Sequence, residues 1–384
     1  MKNSKFDSSK SDAQATPVDP LPIDRFDLSR YQAYEADLHE RCDNFWKSDS
    51  GVLVYRRFRV AEVFSYGCRD MKQSLEWQLG GLSKSMDYKA DIPNFIEPWY
   101  GIGTISSAFG IDYQWEPGQA PAFRPPFQSV DEALEKELIP VEETAIGQHT
   151  LQMIEYFMDR TQGKLPVSPT DTQASLNAAS FLVDTNNFFI EFMMNPEGLK
   201  RLLDKLTDLT ISFTKKQMDL LGDALALPGH GFASSRKWEG LGVSSDVISM
   251  ISPEDYKTFE VPCIKRIGDA FGGAVFHSCG QWADKIEGVK SIPNLIMIDA
   301  AFSEETDPDP NPCELFRDAF AGTGVIVNAR IVGDSDVVAE KVRKLWKPGM
   351  KLIVVTYCET PEEQVKAWAP DDIHFRDWKA RCSG

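Results

Sequence analysis

The chain has 384 residues, of which 42% are apolar and 26% are charged, a composition typical of a globular protein with a sizeable core. Its formal net charge of −17 argues against a nucleic acid or an anionic membrane surface as a partner, because both would repel it. The sequence does not open with the charged and apolar regions of a secretion signal, and no apolar run reaches the length of a membrane span.

The first part of the chain differs in composition from the rest. Residues 1–22 are rich in Ser, Asp, Lys and Pro and show no apolar periodicity, so we expect a flexible tail there. No low-complexity linker follows this stretch. Residues 23–384 are therefore predicted to form one domain.

Eight short apolar runs alternate with helical segments along this domain. Several of them are apolar at nearly every position, as expected for strands of a parallel sheet that is buried on both faces. The first run contains three arginines and is also compatible with a hairpin. The eight predicted strands are Val52–Val60, Pro93–Gly103, Leu165–Asp171, Ala224–His230, Gly273–Cys279, Leu295–Phe302, Gly324–Arg330 and Lys351–Cys358.

Helix start signals lie between these runs. Asn195 and Ser252 each precede a proline and then acidic or helix-forming residues, the pattern of an N-cap followed by a first turn. A third helix is predicted from Asp334 to Trp346. Eight strands that alternate with helices predict an α/β fold of the (β/α)₈ TIM-barrel type with an N-terminal extension.

Two of the predicted strands end in residues that bind metals. His277 and Cys279 are two residues apart, so on a strand both side chains point to the same side. Cys358 ends the last predicted strand, and the carboxyl ends of all barrel strands meet at one mouth. Thiolate and imidazole are ligands that Zn²⁺ prefers, and three of them leave one position open for catalysis.

Cysteine is also a common core residue, so the spacing alone leaves an ordinary packing role open. The seven cysteines are an odd number, scattered in a chain too long to need disulfide bonds, and we expect a reduced, cytoplasmic protein. Five of them have no partner pattern and are predicted to be core or surface thiols: Cys42, Cys68, Cys263, Cys313 and Cys382.

From about residue 90 onward the chain resembles the uroporphyrinogen decarboxylase-like superfamily, and most of all its zinc-dependent corrinoid methyltransferase branch. The signature of that branch is His-x-Cys followed much later by a single Cys. The resemblance implies that His277, Cys279 and Cys358 hold zinc, and that a methyl group moves between a small molecule and the cobalt of a separate corrinoid protein. The segments that resemble the family are Ile251-Ser-Pro-Glu-Asp-Tyr-Lys-Thr-Phe, His277-Ser-Cys-Gly, Asn328-Ala-Arg-Ile-Val-Gly-Asp and Tyr357-Cys-Glu-Thr-Pro.

The sequence departs from the family pattern in two places. Members of the branch can supply an acidic fourth ligand just before a Gly-Pro on an early strand, and here the nearest candidates are Asp171 and Glu97. Porphyrinogen decarboxylases carry an arginine-rich N-terminal substrate motif, whereas the arginines of this chain, Arg56, Arg57 and Arg59, stand in a different context. Porphyrinogen is therefore not the expected substrate.

Other polar and aromatic residues near predicted strand ends are candidates for the substrate pocket. His230 could equally form a loop hydrogen bond, and Asp246 could cap a helix or support a metal ligand. The candidates are Gln173, His230, Trp238, Ser245 and Asp246.

The leading hypothesis is a zinc-dependent methyltransferase that acts with a corrinoid protein on a thiol, a methyl ether or a methylamine. Zinc would stabilise either a thiolate or a departing oxygen or nitrogen. The first alternative is a metal-independent decarboxylase centred on an acid such as Asp171. A zinc hydrolase and a non-catalytic binding protein on the same scaffold are further alternatives.

Overall fold

The computed structural model describes residues 14–368 of the chain. Within them, helices alternate with six strands, and short 3₁₀ turns connect several of these elements. The strands are β1 Gly51–Arg56, β2 Leu241–Ser244, β3 Ala274–His277, β4 Leu295–Ala301, β5 Ile326–Ile331 and β6 Lys351–Thr356. The helices are α1 Leu28–Lys47, α2 Met71–Ser85, α3 Val130–Glu135, α4 Ala145–Thr161, α5 Ser175–Ser180, α6 Thr185–Met194, α7 Pro196–Leu221, α8 Pro253–Asp255, α9 Val261–Phe271, α10 Ile286–Lys290, α11 Cys313–Phe320, α12 Ser335–Leu345 and α13 Pro361–Trp368.

The three predicted helix starts are present, each with a side-chain cap. The side chain of Asn195 accepts a hydrogen bond from Gly198 N at the start of α7, and Asp334 does the same for two amides of α12. Ser252 caps α8, which continues through a π-helical turn, Tyr256–Glu260, into α9. Side-chain acceptors satisfy first-turn amides that have no partner within the helix.

The six strands form one parallel sheet in the order β1-β6-β5-β4-β3-β2. Two extended segments lie between β1 and β2 and close the circle. The first joins β1 through a hydrogen bond from Asp91 N to Val54 O (2.8 Å), and the two segments meet at a parallel bridge between Ile96 and Val167. The second joins β2 by the Gln173–Ser244 bridge. Eight positions around the circle confirm the predicted barrel fold.

Individual strand predictions had different outcomes. β1 pairs in parallel with β6 along its whole length, so the first apolar run forms a strand and not a hairpin. The predicted strand Ala224–His230 forms two isolated bridges, a parallel one from Leu225 to Val167 and an antiparallel one from Leu227 to Ser235. The barrel strand at this position is β2, which the sequence analysis missed because an apolar stretch of four residues that contains a glycine gives almost no periodic signal.

The two faces of the barrel wall pack into different apolar clusters. In β6, Ile353 and Val355 join residues of the other strands in the barrel interior. Leu352 and Val354 pack into the layer between the sheet and the helices. Alternate residues of a strand point to opposite faces, so this division indicates which side chains reach the barrel mouth.

The N-terminal extension contacts the domain in the part that is described. Thr16 N donates a hydrogen bond to Arg59 O (2.7 Å), and Leu21 N donates one to Glu76 O (2.8 Å). Residues 1–13 of the predicted tail lie outside the described residues. The single-domain assignment of residues 23–384 stays a prediction. Across residues 14–368, no helix is both long and apolar enough to cross a membrane.

Candidate metal centre

The carboxyl ends of β2 and β3 bring three metal-binding side chains together. The ligand atoms of Asp246, His277 and Cys279 all lie within 4.8 Å of one another. The distance from His277 Nε2 to Cys279 Sγ is 3.3 Å, and Cys279 N donates a hydrogen bond to Asp246 Oδ1 (2.8 Å). His277 is buried, whereas Cys279 is exposed, so the group opens toward solvent at the barrel mouth.

A buried carboxylate orients the imidazole of this group. His277 Nδ1 lies 2.6 Å from Asp299 Oδ2, and Arg330 Nε donates to the same oxygen (2.7 Å). Asn328 Nδ2 donates to the other oxygen of Asp299. The carboxylate therefore accepts a hydrogen bond from Nδ1–H and turns Nε2 toward Cys279, an arrangement that is typical of metal-binding histidines.

The electrostatics of this group favour a positive charge at Nε2. Burial alone would lower the pKa of His277, but the sulfur of Cys279 and the carboxylate of Asp299 raise it to about 10. Burial alone would raise the pKa of Asp299, but Arg330 and His277 hold it below its ordinary value. A proton or a metal ion can supply the positive charge that these anionic groups stabilise, and a metal displaces the Nε2 proton. The donor set therefore fits a zinc ion at His277 and Cys279.

The structure does not bring Cys358 to this group. Tyr357 lies in the barrel interior, whereas Cys358 packs into the layer between the sheet and the helices. Burial raises the pKa of its thiol to about 12, so the thiol remains protonated at neutral pH. The prediction that Cys358 converges on the same ion as His277 assumed that all strand ends face one mouth, and the alternation of faces along β6 explains why this thiol does not.

The two candidates for a fourth ligand lie in a second polar group. His230 Nδ1 is 2.7 Å from Glu97 Oε2, and His230 Nε2 is 3.5 Å from Asp171 Oδ2. Trp99 Nε1 and Gln173 Nε2 each donate to one oxygen of Asp171, at 3.2 and 2.9 Å. The structure thus places Glu97 and Asp171 around His230 and not around His277. We call these five residues the His230 group.

Hydrogen bonds connect the His230 group with the loop after β2 that carries Asp246. Asn177 Nδ2 donates to Gln173 Oε1 (2.8 Å), and Asn177 Oδ1 accepts from Val247 N (2.9 Å), the residue after Asp246. Ser245 N donates to His277 O (2.8 Å), which ties the end of β2 to β3. Of the predicted pocket residues, Gln173, His230, Ser245 and Asp246 thus belong to one connected polar region.

Trp238, the remaining pocket candidate, lies at the opposite end of the barrel. Its indole stacks on Trp46 with 5.4 Å between ring centroids and donates a hydrogen bond to Cys42 O (3.0 Å). Lys351, the first residue of β6, donates to Trp46 O (2.9 Å). This is the amino-terminal end of the strands, so the structure does not bring Trp238 to the other predicted pocket residues.

Three residues behind His277 had no predicted role. Asp299, Asn328 and Arg330 occupy inward positions on β4 and β5, two strands that are otherwise almost entirely apolar. Charged and amide side chains with this alternating spacing in a buried strand are the signal that could have identified them.

Comparisons with known proteins agree with this fold. The family model for uroporphyrinogen decarboxylase (URO-D) matches residues 98–368, more than half of the chain. The chain belongs to the URO-D family. The predicted resemblance to that superfamily is therefore confirmed. A search of curated proteins gave no match.

A solved structure has a fold similar to that of this chain. A methyltransferase from Methanosarcina mazei superimposes with a TM-score of 0.62 and 13% sequence identity. The match covers 88% of this chain and 98% of that one. At this identity the likeness establishes the fold.

Proposed function

We propose that this URO-D family member is a zinc-dependent methyltransferase that moves a methyl group between a small molecule and the cobalt of a corrinoid protein. The observation on which this depends is the pairing of His277 and Cys279 at the barrel mouth, with the carboxylate of Asp299 behind the imidazole. Nitrogen and sulfur donors of this kind suit Zn²⁺, and a porphyrinogen decarboxylase without metal has no need for them. The family match and the methyltransferase-like fold support the same proposal.

The residues of the barrel mouth have distinct roles in this proposal. His277 and Cys279 would hold the zinc ion, and Asp299 would keep Nε2 of His277 directed at it. When bound, zinc would act as a Lewis acid that stabilises a thiolate or a departing oxygen or nitrogen. The ring of Phe232 packs edge-on against the imidazole of His277, with 6.1 Å between ring centroids.

The His230 group would bind the part of the substrate that is not transferred. The His230 side chain is 18% exposed, against 8% for Glu97 and 6% for Asp171, so a ligand in the mouth meets the imidazole first. Glu97 holds Nδ1 and leaves Nε2 as the nitrogen that can exchange a hydrogen bond or a proton with the ligand.

The proposed substrates, protein partner and cellular location are those that the sequence predicts. A thiol, a methyl ether and a methylamine are the candidate small molecules, and the corrinoid would be brought by a separate protein. All six cysteines in the described part of the chain are free, which supports the proposal of a reducing, cytoplasmic environment.

The test is methyl transfer to or from free cobalamin, followed by its absorption spectrum. The purified chain would be incubated with cob(I)alamin and methyl ethers or methylamines, and with methylcobalamin and a small thiol. We expect turnover with one of these classes and its loss in His277→Ala and Cys279→Ala, with Cys313→Ala as an active control on α11. Full turnover by either of the first two variants, freed of metal, would contradict the mechanism.

A metal-independent decarboxylase is the second candidate function. The observation that favours it is the Glu97–His230–Asp171 arrangement, which offers carboxylates and an imidazole for charge stabilisation without a metal. In that case Asp171→Asn should abolish carbon dioxide release from a carboxylated substrate, and removal of metal should have no effect.

A further inference from the structure

The loop after β2, the end of β3 and the turn after it bring together three different metal-ligand atoms. Asp246 supplies oxygen, His277 nitrogen and Cys279 sulfur, and their ligand atoms lie within 4.8 Å of one another. We propose that Asp246, and not Cys358, is the third protein ligand of the metal. This inference rests on the zinc-dependent function proposed above.

The distances agree with a tetrahedral ion. Zinc–nitrogen and zinc–sulfur bonds of about 2.0 and 2.3 Å at a tetrahedral angle place the two ligand atoms roughly 3.5 Å apart. The observed distance from His277 Nε2 to Cys279 Sγ is 3.3 Å. One carboxylate oxygen of Asp246 accepts the hydrogen bond from Cys279 N, and its second oxygen can bind the ion. Only small side-chain movements are needed to close the site.

The backbone holds these three residues as a unit. Ser245 N donates to His277 O (2.8 Å), and Cys279 N donates to Asp246 Oδ1 (2.8 Å), so the two segments are joined on both sides of the site. Arg330 Nη2 donates to Ser278 O (3.2 Å) and fixes the turn between the two β3 ligands. Donor atoms that hydrogen bonds already hold in place bind a metal with little loss of conformational entropy.

Cys358 is separated from this unit by the barrel wall. Its side chain packs into the layer between the sheet and the helices, and its carbonyl accepts a hydrogen bond from Arg56 Nε (2.9 Å). To reach the ion, the end of β6 would have to rotate and expose Tyr357, which lies in the barrel interior. With a carboxylate in place of a second thiolate, the net charge of the zinc-bound site is still zero. The ligand set then contains one soft sulfur donor and not two.

The experiment is a titration of the metal-free full chain with Co²⁺ and Zn²⁺, read by absorption spectroscopy and by bound metal per chain. We expect Asp246→Asn to bind Zn²⁺ at least about 100-fold more weakly, since even second-sphere partners typically contribute about 10- to 100-fold. Cys358→Ser should bind as the wild type does. Asp255→Asn, a nearby acid at the helix start, is the matched control, and circular dichroism checks that each variant folds.

The Co²⁺ spectrum of the wild type gives a second readout that does not depend on variants of Asp246. The thiolate-to-cobalt band should have the intensity of one thiolate, disappear in Cys279→Ser and persist in Cys358→Ser. Loss of metal in Cys358→Ser with retention in Asp246→Asn would overturn this ligand set alone. A wild-type chain that binds no metal would overturn the zinc-dependent function as well.

Discussion

Asp299 is the residue on which the geometry of the metal centre depends most. It accepts hydrogen bonds from His277, Asn328 and Arg330 while fully buried, so its loss leaves a buried guanidinium without a counter-ion. Asp299→Asn should therefore reduce the free energy of unfolding by about 3 kcal/mol in urea denaturation of the metal-free protein. Its affinity for zinc should fall roughly 10- to 100-fold. Glu304→Gln, an exposed acid after the same strand, is the control, and equal stability of the two variants would contradict this role.

Glu260 shows how burial alone makes stability depend on pH. Burial raises its pKa to about 8, and the hydrogen bond that Leu176 N donates to Glu260 Oε2 (3.0 Å) offsets this only in part. The folded state then holds the proton more tightly than the unfolded state, in which the pKa of a Glu is about 4.3. The contribution of Glu260 to the free energy of unfolding should therefore fall between pH 5 and pH 8, by up to about 1.4 kcal/mol per pH unit, and level off above pH 8.

Glu260→Gln should remove this dependence, because its amide has no proton to lose while its oxygen can still accept from Leu176 N. The free energies of unfolding of wild type and variant, measured from pH 5 to pH 9, should diverge in favour of the variant as pH rises to about 8. Parallel curves would contradict the prediction. Glu254→Gln, an exposed acid in α8, should follow the wild type.

Single residues also show what the sequence could predict of the site. His277 and Cys279 were identified because a two-residue spacing on a strand places both side chains on one side. Asp246 was taken only as a pocket or supporting residue, because its strand, β2, was not recognised. Asp299 received no role, since its partners Asn328 and Arg330 are about 30 residues away in the chain and contact it only through the neighbouring strand.

At the scale of elements, three helix starts were predicted from local sequence and are present, because an N-cap acts on amides two or three residues away. Asp334 Oδ1 accepts from Asp336 N (3.0 Å) and Val337 N (2.9 Å) at the start of α12. Asp334→Ala should reduce the free energy of unfolding by about 1 kcal/mol, measured by urea denaturation. Glu340→Ala, which removes only an exposed ion pair with Lys344 on the same helix, should cost less than about 0.5 kcal/mol. A larger loss for Glu340→Ala than for Asp334→Ala would contradict the assignment.

Element boundaries were harder to predict than helix starts. At β6 the boundary affects which side of the barrel wall Cys358 faces. The predicted strand ran to Cys358, but the observed strand ends at Thr356, and the next two residues point to opposite sides of the wall. Which side a terminal residue faces depends on the register with neighbouring strands, and one sequence does not contain that information.

At the scale of the whole molecule, the alternation of apolar runs and helices predicted the barrel, because every strand buried on both faces must be nearly continuously apolar. The barrel brings β2 and β3 together as neighbours, so residues 246, 277 and 279 meet at its mouth beside the His230 group. The polar residues of the mouth thus form two groups, one around His277 and one around His230, connected through Gln173 and Asn177.

The proposed function requires a zinc ion at the barrel mouth, and the metal content of the protein tests this requirement most directly. The full chain, purified without chelators, should contain about one zinc per chain by elemental analysis. His277→Ala should lose it, whereas His39→Ala, a histidine of α1 that lies outside this site, should retain it. Wild-type protein that contains no zinc and takes up none from solution would contradict the account.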